Sequence, residues 1–314
     1  MADLASSYSS PVPIAVIGGT GFYDLPGFKA VASLNITTPW GNPASPIVVL
    51  EHATPEGHTL PVAFLSRHGL NHEFSPADVP NRANIAALRH IGVRCIVSFS
   101  AAGSLREEIR PRDFVVPDQI IDRTWGRSNS FFEQGLVCHV PMADPYDDGI
   151  RQAVLKCAGV LEGGVKLHDK GTTVVIQGPT FSTRAESKMY RLWGGDVINM
   201  STFPEAKLAR EAEIGYGQII MSTDYDCWKG EEDVSVEMVM GHMKANLGNA
   251  KHLVGAVLDE LSKEQYGDLR AGKAWEGQRR FGVSTKKEGM GKQALEKLDW
   301  LFPGYFTDHG GRPA

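Results

Sequence analysis

Two aspartates spaced two residues apart, Asp224 and Asp226, follow an apolar run in the stretch IIMSTDYDCWKG (219–230). Burying a lone carboxylate is costly, so a carboxylate at the end of a buried strand must be solvated, paired or reserved for a ligand. Ionised carboxylates accept hydrogen bonds and repel anions. The pair therefore predicts a site for a ligand group that is rich in hydrogen-bond donors.

Small, polar or cationic residues that do not belong in a core follow four other predicted strands, in GGTGF (18–22), SRHG (66–69), SFSAAGS (98–104) and INMST (198–202). Ligands collect at the carboxyl ends of strands in open α/β folds. The glycines let backbone N–H groups approach an anion, and Arg67 offers a planar fork that suits phosphate. His68 adds a neutral or charged donor. With the aspartate pair, these segments predict a bipolar site, with phosphate at one end and a donor-rich group at the other.

Each of these segments also has an ordinary structural explanation, as a turn, a surface pair or a tightly packed strand end. A dinucleotide fingerprint would need glycine or alanine where Asp24 stands, and no P-loop follows the glycines. A zinc site at His68 and His72 is disfavoured, because the order H-x-x-x-H-E encloses Gly-Leu-Asn, which suggests a loop instead of a helix. We therefore predict no metal.

The composition excludes several classes of protein. The chain has 314 residues, 42% of them hydrophobic and 22% charged, which is typical of a globular protein with a substantial core. A net charge of −5 argues against nucleic-acid and anionic-membrane partners. No apolar run approaches the roughly 20 residues of a membrane span, and no secretory signal opens the chain. Four separated cysteines indicate reduced thiols. We expect a cytoplasmic protein, with the nucleus as a second location.

Strand and helix patterns alternate along most of the chain. Apolar runs predict strands over 12–19, 46–52, 60–68, 95–104, 113–122, 171–179, 196–201 and 216–224. Helical spacing or capping boxes predict helices over 81–92, from Thr183 to Gly194, from Thr202 to about Gly215, and over 236–261. This pattern predicts an α/β fold, a single domain with a central mixed β-sheet flanked by helices.

Three segments follow from these patterns. Residues 1–12 are predicted to be a flexible N-terminal segment, and 13–262 the main domain. Residues 263–314 are expected to form a polar C-terminal extension, with a short helix near QALEKLDWLF.

Eight motifs in order give the chain a specific resemblance to a known family. They are IGGTGF, SRHG, AAGSLREEIRP, DQIIDRT, CHVPMADPY, QGPTFSTRAES, WGGDVINMSTFPEAKLAREA and STDYDCWK. Between about Ile14 and Leu258 the sequence resembles the S-methyl-5′-thioadenosine phosphorylases, in the trimeric branch of the purine nucleoside phosphorylases. The segment after residue 262 is longer than this resemblance implies.

The resemblance implies roles for particular residues. Its phosphate site would comprise Thr20, Arg67, His68, Ser100, Ala101 and Ser201. Phe181 would stack on the purine, and Met200 would lie under the ribose. The methylthio group would contact Val236, Val239 and Met240, with His139 and Leu301 contributed by a neighbouring subunit. Serines 100 and 201 stand where the family has threonine, and both keep the hydroxyl.

The chemistry implied is phosphorolysis of a purine nucleoside within a homotrimer. Phosphate would attack the anomeric carbon while Asp224, kept protonated by burial and by Asp226, donates a hydrogen to N7 of the departing purine. Asp226 would accept from the 6-amino group, which favours adenine over 6-oxopurines. Phosphate would be a co-substrate, and no metal or organic cofactor would be required.

Three alternatives remain open from the sequence. The chain could be a purine nucleoside phosphorylase that acts on adenosine or on 6-oxopurine nucleosides. It could be a nucleosidase that uses water, in which Arg67 would have no phosphate to bind. It could also be a nucleotide-binding regulatory protein without catalytic activity.

Overall fold

A computed structural model describes residues 4–18, 27–230, 234–304 and 306. Within these ranges eleven strands join in a single sheet. The strands are β1 (Ile14–Gly18), β2 (Phe28–Leu34), β3 (Ile47–Ala53), β4 (Thr59–Ser66), β5 (Cys95–Ser104), β6 (Phe114–Val115), β7 (Gln119–Arg123), β8 (Leu167–His168), β9 (Thr172–Ile176), β10 (Val197–Asn199) and β11 (Gly215–Tyr225).

Helices flank this sheet in the described part of the chain. They are α1 (Asn81–His90), α2 (Asp148–Lys156), α3 (Arg184–Leu192), α4 (Thr202–Glu211), α5 (Val236–Ala245), α6 (Leu247–Ser262), α7 (Gly267–Arg270), α8 (Arg279–Gly282) and α9 (Lys292–Leu301). None of the described helices is both long enough and apolar enough to cross a membrane. The predicted single-domain α/β fold is confirmed.

The centre of the sheet consists of parallel strands in the order β4, β1, β5, β11. Their carboxyl ends therefore meet at one edge. The sheet is mixed, because β2, β3 and β4 pair antiparallel at one side and β10 runs antiparallel to β5. Side chains of β1 alternate between two cores: Ala15 and Ile17 pack on one face, Ile14 and Val16 on the other. Covering both faces explains the continuous apolar runs of the central strands.

Two predicted elements are divided in the structure. The expected strand 113–122 is two strands, β6 and β7, with Pro117 between them; proline has no N–H to donate to a ladder. The expected helix 236–261 is α5 and α6, which meet at Asn246. This asparagine is buried, and its side-chain amide donates to the carbonyl of Arg112 over 2.6 Å. The apolar spacing continues across the break, so periodicity alone could not reveal it.

The two predicted capping boxes have different outcomes. Thr183 and Glu186 form both bonds of a capping box at the start of α3. At α4 the expected box of Thr202 and Glu205 is wrong, because no side chain caps that helix. Glu205 instead binds a buried guanidinium, and a charged partner outcompetes a backbone N–H.

The segment after residue 262 is integrated into the main core. Helix α9 coincides with the short helix expected there, and its Ala294, Leu298 and Leu301 are buried in the same cluster as Ile85 and Leu88 of α1. Leu301 is 3% exposed within its own chain. The expectation that Leu301 lines a neighbouring subunit's pocket is therefore wrong.

We predict that Leu298→Ala lowers the free energy of unfolding by roughly 2 to 5 kcal/mol, because it leaves a cavity in a closed core. Gln293→Ala, at an exposed position of the same helix, serves as the control and changes stability little. Chemical denaturation measures both. Equal stability of the two variants would show that α9 does not belong to the cooperative core.

Candidate active site

Strand β5 connects the two halves of the site. Arg67, just past the end of β4, donates to the carbonyl of Phe99 on β5, whereas Asp224 of β11 lies opposite Gly103. Gly103 is four residues beyond Phe99, which corresponds to about 13 Å at the rise of an extended strand. The predicted cationic end and acidic end therefore lie along one strand, as a bipolar site requires.

The aspartate pair lies where β11 bulges against β5. The register shifts between Ser222 and Asp224, which leaves Thr223 as the extra residue. Both aspartates are 3% exposed, yet Asp224 Oδ1 and Asp226 Oδ2 have no hydrogen-bond partner among the described residues. Two buried polar oxygens left in this state are the expected counterpart of a ligand that forms hydrogen bonds with them.

Burial dominates the acidity of both carboxyls. It raises the pKa of Asp224 to about 6; a hydrogen bond from Thr223 opposes this shift, and the charge of Asp226 adds to it. Burial also raises the pKa of Asp226. Asp224 is thus protonated at a higher pH than an ordinary aspartate, as the acid role requires.

Gly103 provides the space that Asp224 occupies. A Cβ atom at this position would lie 2.9 Å from Asp224 Oδ1 and 3.2 Å from a methyl of Ile198. Both distances are shorter than ordinary contacts, so a side chain here would displace the carboxyl. The small residues predicted to bring backbone close to a ligand instead make room, at this position, for the acidic group.

Arg67 directs its planar fork to a carboxylate of its own chain and not to a ligand anion, contrary to the expectation from sequence. Nε and Nη2 donate to the two carboxylate oxygens of Glu205 over 2.7 and 2.9 Å, and Nη2 also donates to Ser98. With the bond to Phe99, these contacts leave one Nη1 hydrogen without a partner among the described residues. Arg67 therefore offers a single donor and a partly neutralised charge.

His68 is neutral, one of the two states expected, but its free ring nitrogen accepts instead of donating. Burial lowers the pKa of His68 to about 4, and the charge of Arg67 contributes. Its Nδ1 lies 2.9 Å from the carbonyl oxygen of Phe74, which can only accept, so the neutral ring carries its hydrogen on Nδ1. Nε2 is then an acceptor, suited to a hydroxyl of a protonated phosphate and not to a bare oxyanion.

Ser100 has its hydroxyl oriented by a buried amide. Asn199 Nδ2 donates to Ser100 Oγ over 3.0 Å and to Thr202 Oγ1 over 2.7 Å. Because Ser100 Oγ accepts, its own hydrogen is available to a ligand. Strand β10 runs antiparallel to β5, so its carboxyl end does not lie at the edge where the central parallel strands end. Asn199, at that end of β10, therefore lies further back along β5 and reaches Ser100.

Ala101 and Ser201 are partly exposed near this network. Ala101 continues β5 and pairs with Met221 of β11, and Ser201 precedes α4 without capping it. The remaining residue predicted for this end, Thr20, lies outside the described residues.

The segment that carries Phe181 contacts both neighbouring parts of the site. Ser182 accepts from the thiol of Cys227, which follows Asp226, at 3.3 Å. Gly178 lies against Met200: a Cβ there would be 2.4 Å from its sulfur. Phe181 is 43% exposed, which leaves its ring available for stacking.

The residues predicted for the methylthio pocket lie on α5, which has no buried residue. Val236 is 67% and Met240 58% exposed, whereas Val239 is partly buried. His139 is also exposed; its backbone N–H donates to Gly282 over 2.8 Å. No described contact joins His139 to α5 or to the aspartates of the same chain.

Sequence reasoning missed the residues that hold the site from behind. Glu205, Asn199 and Gln218 are buried polar side chains on apolar-looking elements, and their contacts are with residues distant in sequence. Arg127 was also missed. It donates to carbonyls of Met200 and Gln177 over 2.8 and 2.6 Å, joining the ends of β9 and β10.

The fold agrees with the comparisons. The chain belongs to the phosphorylase superfamily, whose family model matches residues 13–259. Within it, the chain belongs with the S-methyl-5′-thioadenosine phosphorylases, which confirms the resemblance. It is 63% identical to the Phaeosphaeria nodorum protein of that name, over 98% of this chain and 91% of the relative. That alignment takes in most of the segment after residue 262, so the segment is not peculiar to this chain.

Solved structures give the same result. A methylthioadenosine phosphorylase from an antarctic soil metagenomic library has a TM-score of 0.83 at 39% identity, covering 94% of this chain and all of that one. A variant of the Schistosoma mansoni adenosine/methylthioadenosine phosphorylase, in complex with methylthioadenosine, has a TM-score of 0.74 at 34% identity. That match covers 85% of this chain and 97% of the other.

We predict that Asp224→Asn stabilises the fold at pH 8. A carboxyl whose folded pKa of about 6 exceeds its ordinary value of 3.8 reduces stability wherever it is ionised. This cost, on the order of 3 kcal/mol, is present above pH 6 and disappears as the pH falls through 3.8. Melting temperatures at pH 8 and pH 4 measure it, with exposed Asp169→Asn as control. A gain independent of pH would contradict the prediction.

Proposed function

We propose that the protein catalyses phosphorolysis of S-methyl-5′-thioadenosine to adenine and 5-methylthioribose 1-phosphate. The observation that carries this proposal is the pair of buried carboxylates with unpaired oxygens, Asp224 and Asp226, at the carboxyl end of the strand paired with β5. At the other end of the site Arg67 and Ser100 keep donors free. The relatives that share this fold carry the same activity in their names.

The reaction needs help at both ends of the glycosidic bond. Phosphate attacks the anomeric carbon as the sugar becomes cationic, and the purine leaves with the bonding electrons. Asp224, with its pKa near 6, donates a hydrogen to N7 and so neutralises the departing base. The phosphate dianion beside the sugar also stabilises its positive charge.

Base selection follows from the acceptors. Asp226 Oδ2 is a buried oxygen with no described partner, and the 6-amino group of adenine supplies the donor that satisfies it. A 6-oxopurine would place a second acceptor against it, and unpaired buried polar groups are strongly rejected. The acid pair therefore favours adenine nucleosides over inosine and guanosine.

The phosphate end would use few charges. Arg67 contributes one Nη1 donor while Glu205 holds its fork, Ser100 contributes its hydroxyl, and neutral His68 accepts a phosphate hydroxyl. We include Ala101, Ser201 and Thr20 in this site on the family resemblance. Phosphate is the co-substrate, and no metal or organic cofactor takes part in the proposed reaction.

The 5′ end would be completed by a second copy of the chain. Val236 and Met240 are exposed apolar residues on α5, a helix with no fully buried residue in its own chain. We propose that a homotrimer covers them, with His139 of a neighbouring subunit closing over the methylthio group. An apolar pocket of this kind prefers methylthio to hydroxyl moderately, so adenosine would remain a slower substrate. The activity would serve methionine and purine salvage in the cytoplasm and nucleus.

We expect adenine release from methylthioadenosine only when phosphate is present, with adenosine slower. Inosine is expected to react at least about 10³-fold less efficiently, because its 6-oxo group leaves Asp226 unpaired. Chromatographic assay of the released base, with and without phosphate, measures all three substrates. Release without phosphate would identify a nucleosidase, and a preference for inosine would place the chain among the 6-oxopurine enzymes.

Asp224→Asn separates catalysis from binding in the same assay. It should lower kcat by about 10²- to 10⁴-fold with little change in nucleoside KM, because the amide is a far weaker acid of similar shape. Asp169→Asn, at the surface, is again the control. Unchanged kcat in Asp224→Asn would contradict the acid role of this residue.

The proposed assembly predicts a particle of three chains, each of 34.2 kDa. Light scattering coupled to size-exclusion chromatography measures the mass directly. In the activity assay, Met240→Ser should raise the nucleoside KM and leave the phosphate KM unaltered, because only the 5′ pocket is changed. A monomer that retains full activity would rule out a contribution from the neighbouring subunit.

A further inference from the structure

Thr223, the bulged residue of β11, has one hydroxyl hydrogen and two acceptors within reach. Its Oγ1 lies 2.8 Å from Asp224 Oδ2 and 3.2 Å from the carbonyl oxygen of Ala102 on β5. The residue is 1% exposed, so water does not compete for the hydroxyl. A single hydrogen serves one acceptor at a time at full strength, and the shorter distance favours the carboxyl oxygen.

The bond from Thr223 makes the two oxygens of Asp224 unequal. Oδ2 accepts the hydroxyl hydrogen, whereas Oδ1 has no partner among the described residues. Oδ1 is also the oxygen that lies against Gly103, in the space that the absent side chain leaves to the carboxyl. Oδ1 is therefore the oxygen available to a ligand.

We propose that Thr223 is a positioning residue that keeps the acidic proton of Asp224 on Oδ1 when a purine is bound and stabilises the carboxylate formed by its transfer. This inference rests on the proposed function. With the N7 lone pair opposite Oδ1, a proton on Oδ1 allows two hydrogen bonds, Oδ1–H to N7 and Thr223 to Oδ2. A proton on Oδ2 would instead set the lone pairs of Oδ1 and N7 against each other.

The chemical step is balanced by these groups alone. The Oδ1–H bond of Asp224 breaks and an N7–H bond forms. The bond from the anomeric carbon to N9 breaks with its electron pair going to the purine, and a phosphate oxygen bonds to that carbon. The carboxylate that remains keeps its bond from Thr223, which is now charge-assisted and stronger. Solvent returns the proton to Asp224 after adenine leaves.

The acidity of Asp224 changes in the direction this role requires. Burial raises the pKa of Asp224, and the bond from Thr223 opposes the rise. The hydroxyl thus makes a buried acid strong enough to give up its proton. Removing it should leave a carboxyl that is protonated over a wider pH range but donates less readily.

The test compares Thr223→Val, which keeps the shape and loses the hydroxyl, with Thr223→Ser, which keeps the hydroxyl. We expect the alkaline limb of kcat/KM for methylthioadenosine to move up by about half to one pH unit in the valine variant. We expect its low-pH plateau to fall roughly 3- to 10-fold, in line with the Brønsted dependence of proton transfer. Phosphate KM stays unchanged, and serine restores both properties. Ionisation of phosphate affects all variants alike.

A second readout does not depend on turnover. Carbon-13 NMR of aspartate-labelled protein follows the Asp224 carboxyl, assigned by its loss in Asp224→Asn, and should show a higher pKa in Thr223→Val. A valine variant with the wild-type pH profile and titration would overturn the proposal, as would a serine variant that behaves like valine. If the wild-type protein lacked phosphorolysis while Thr223→Val still raised the pKa of Asp224, the proposed function would be refuted. The link between Thr223 and Asp224 would remain intact.

Discussion

The parallel pairing of β11 with β5 is the constraint on which the site depends. It places the acid pair against Gly103, four residues along β5 from the point where Arg67 is anchored. A ladder fixes such a spacing to within one residue, and a slip of one residue would turn every side chain to the other face. The bulge at Thr223 inserts one extra residue, so Asp224 does not follow the regular alternation of side chains along β11. The distance between the two ends of the site is thus set by strand geometry and not by flexible loops.

The two ends treat buried charge in opposite ways. Arg67 is held by a bidentate contact with Glu205, itself bonded by Ser98 and Tyr216, so the cation is fixed and four of its five N–H groups are bonded within the described chain. The aspartate pair is buried without comparable donors, and this burial raises the pKa of both carboxyls and weakens the fold at neutral pH. The fold is therefore less stable at the aspartate pair, where a proton must be transferred, than at Arg67, where an anion must only be bound.

The division between subunits follows from what one chain leaves uncovered. Helix α5 has no buried residue, while α6 continues into the core with Leu253, Val257 and Leu261. The break at Asn246 falls between the two helices, and Met243 of α5 still packs against the same core. One continuous amphipathic stripe in the sequence therefore serves two surfaces, a core inside the chain and an apolar face available to ligand and neighbour. Apolar helical spacing indicates that one face of a helix is covered, but it does not identify what covers that face.

The amino-acid sequence by itself determined the α/β class, the central strands, the capping box of α3 and the residues at the strand ends, because these depend on local apolar runs, spacing and composition. Only the tertiary structure decided which polar residues meet. Glu205 holds Arg67 instead of capping α4, His68 is a neutral acceptor, and Leu301 lies in its own chain's core. The physical reason is that burial and partners from distant elements set the charge and orientation of these groups, and neither can be read from nearest neighbours in the chain.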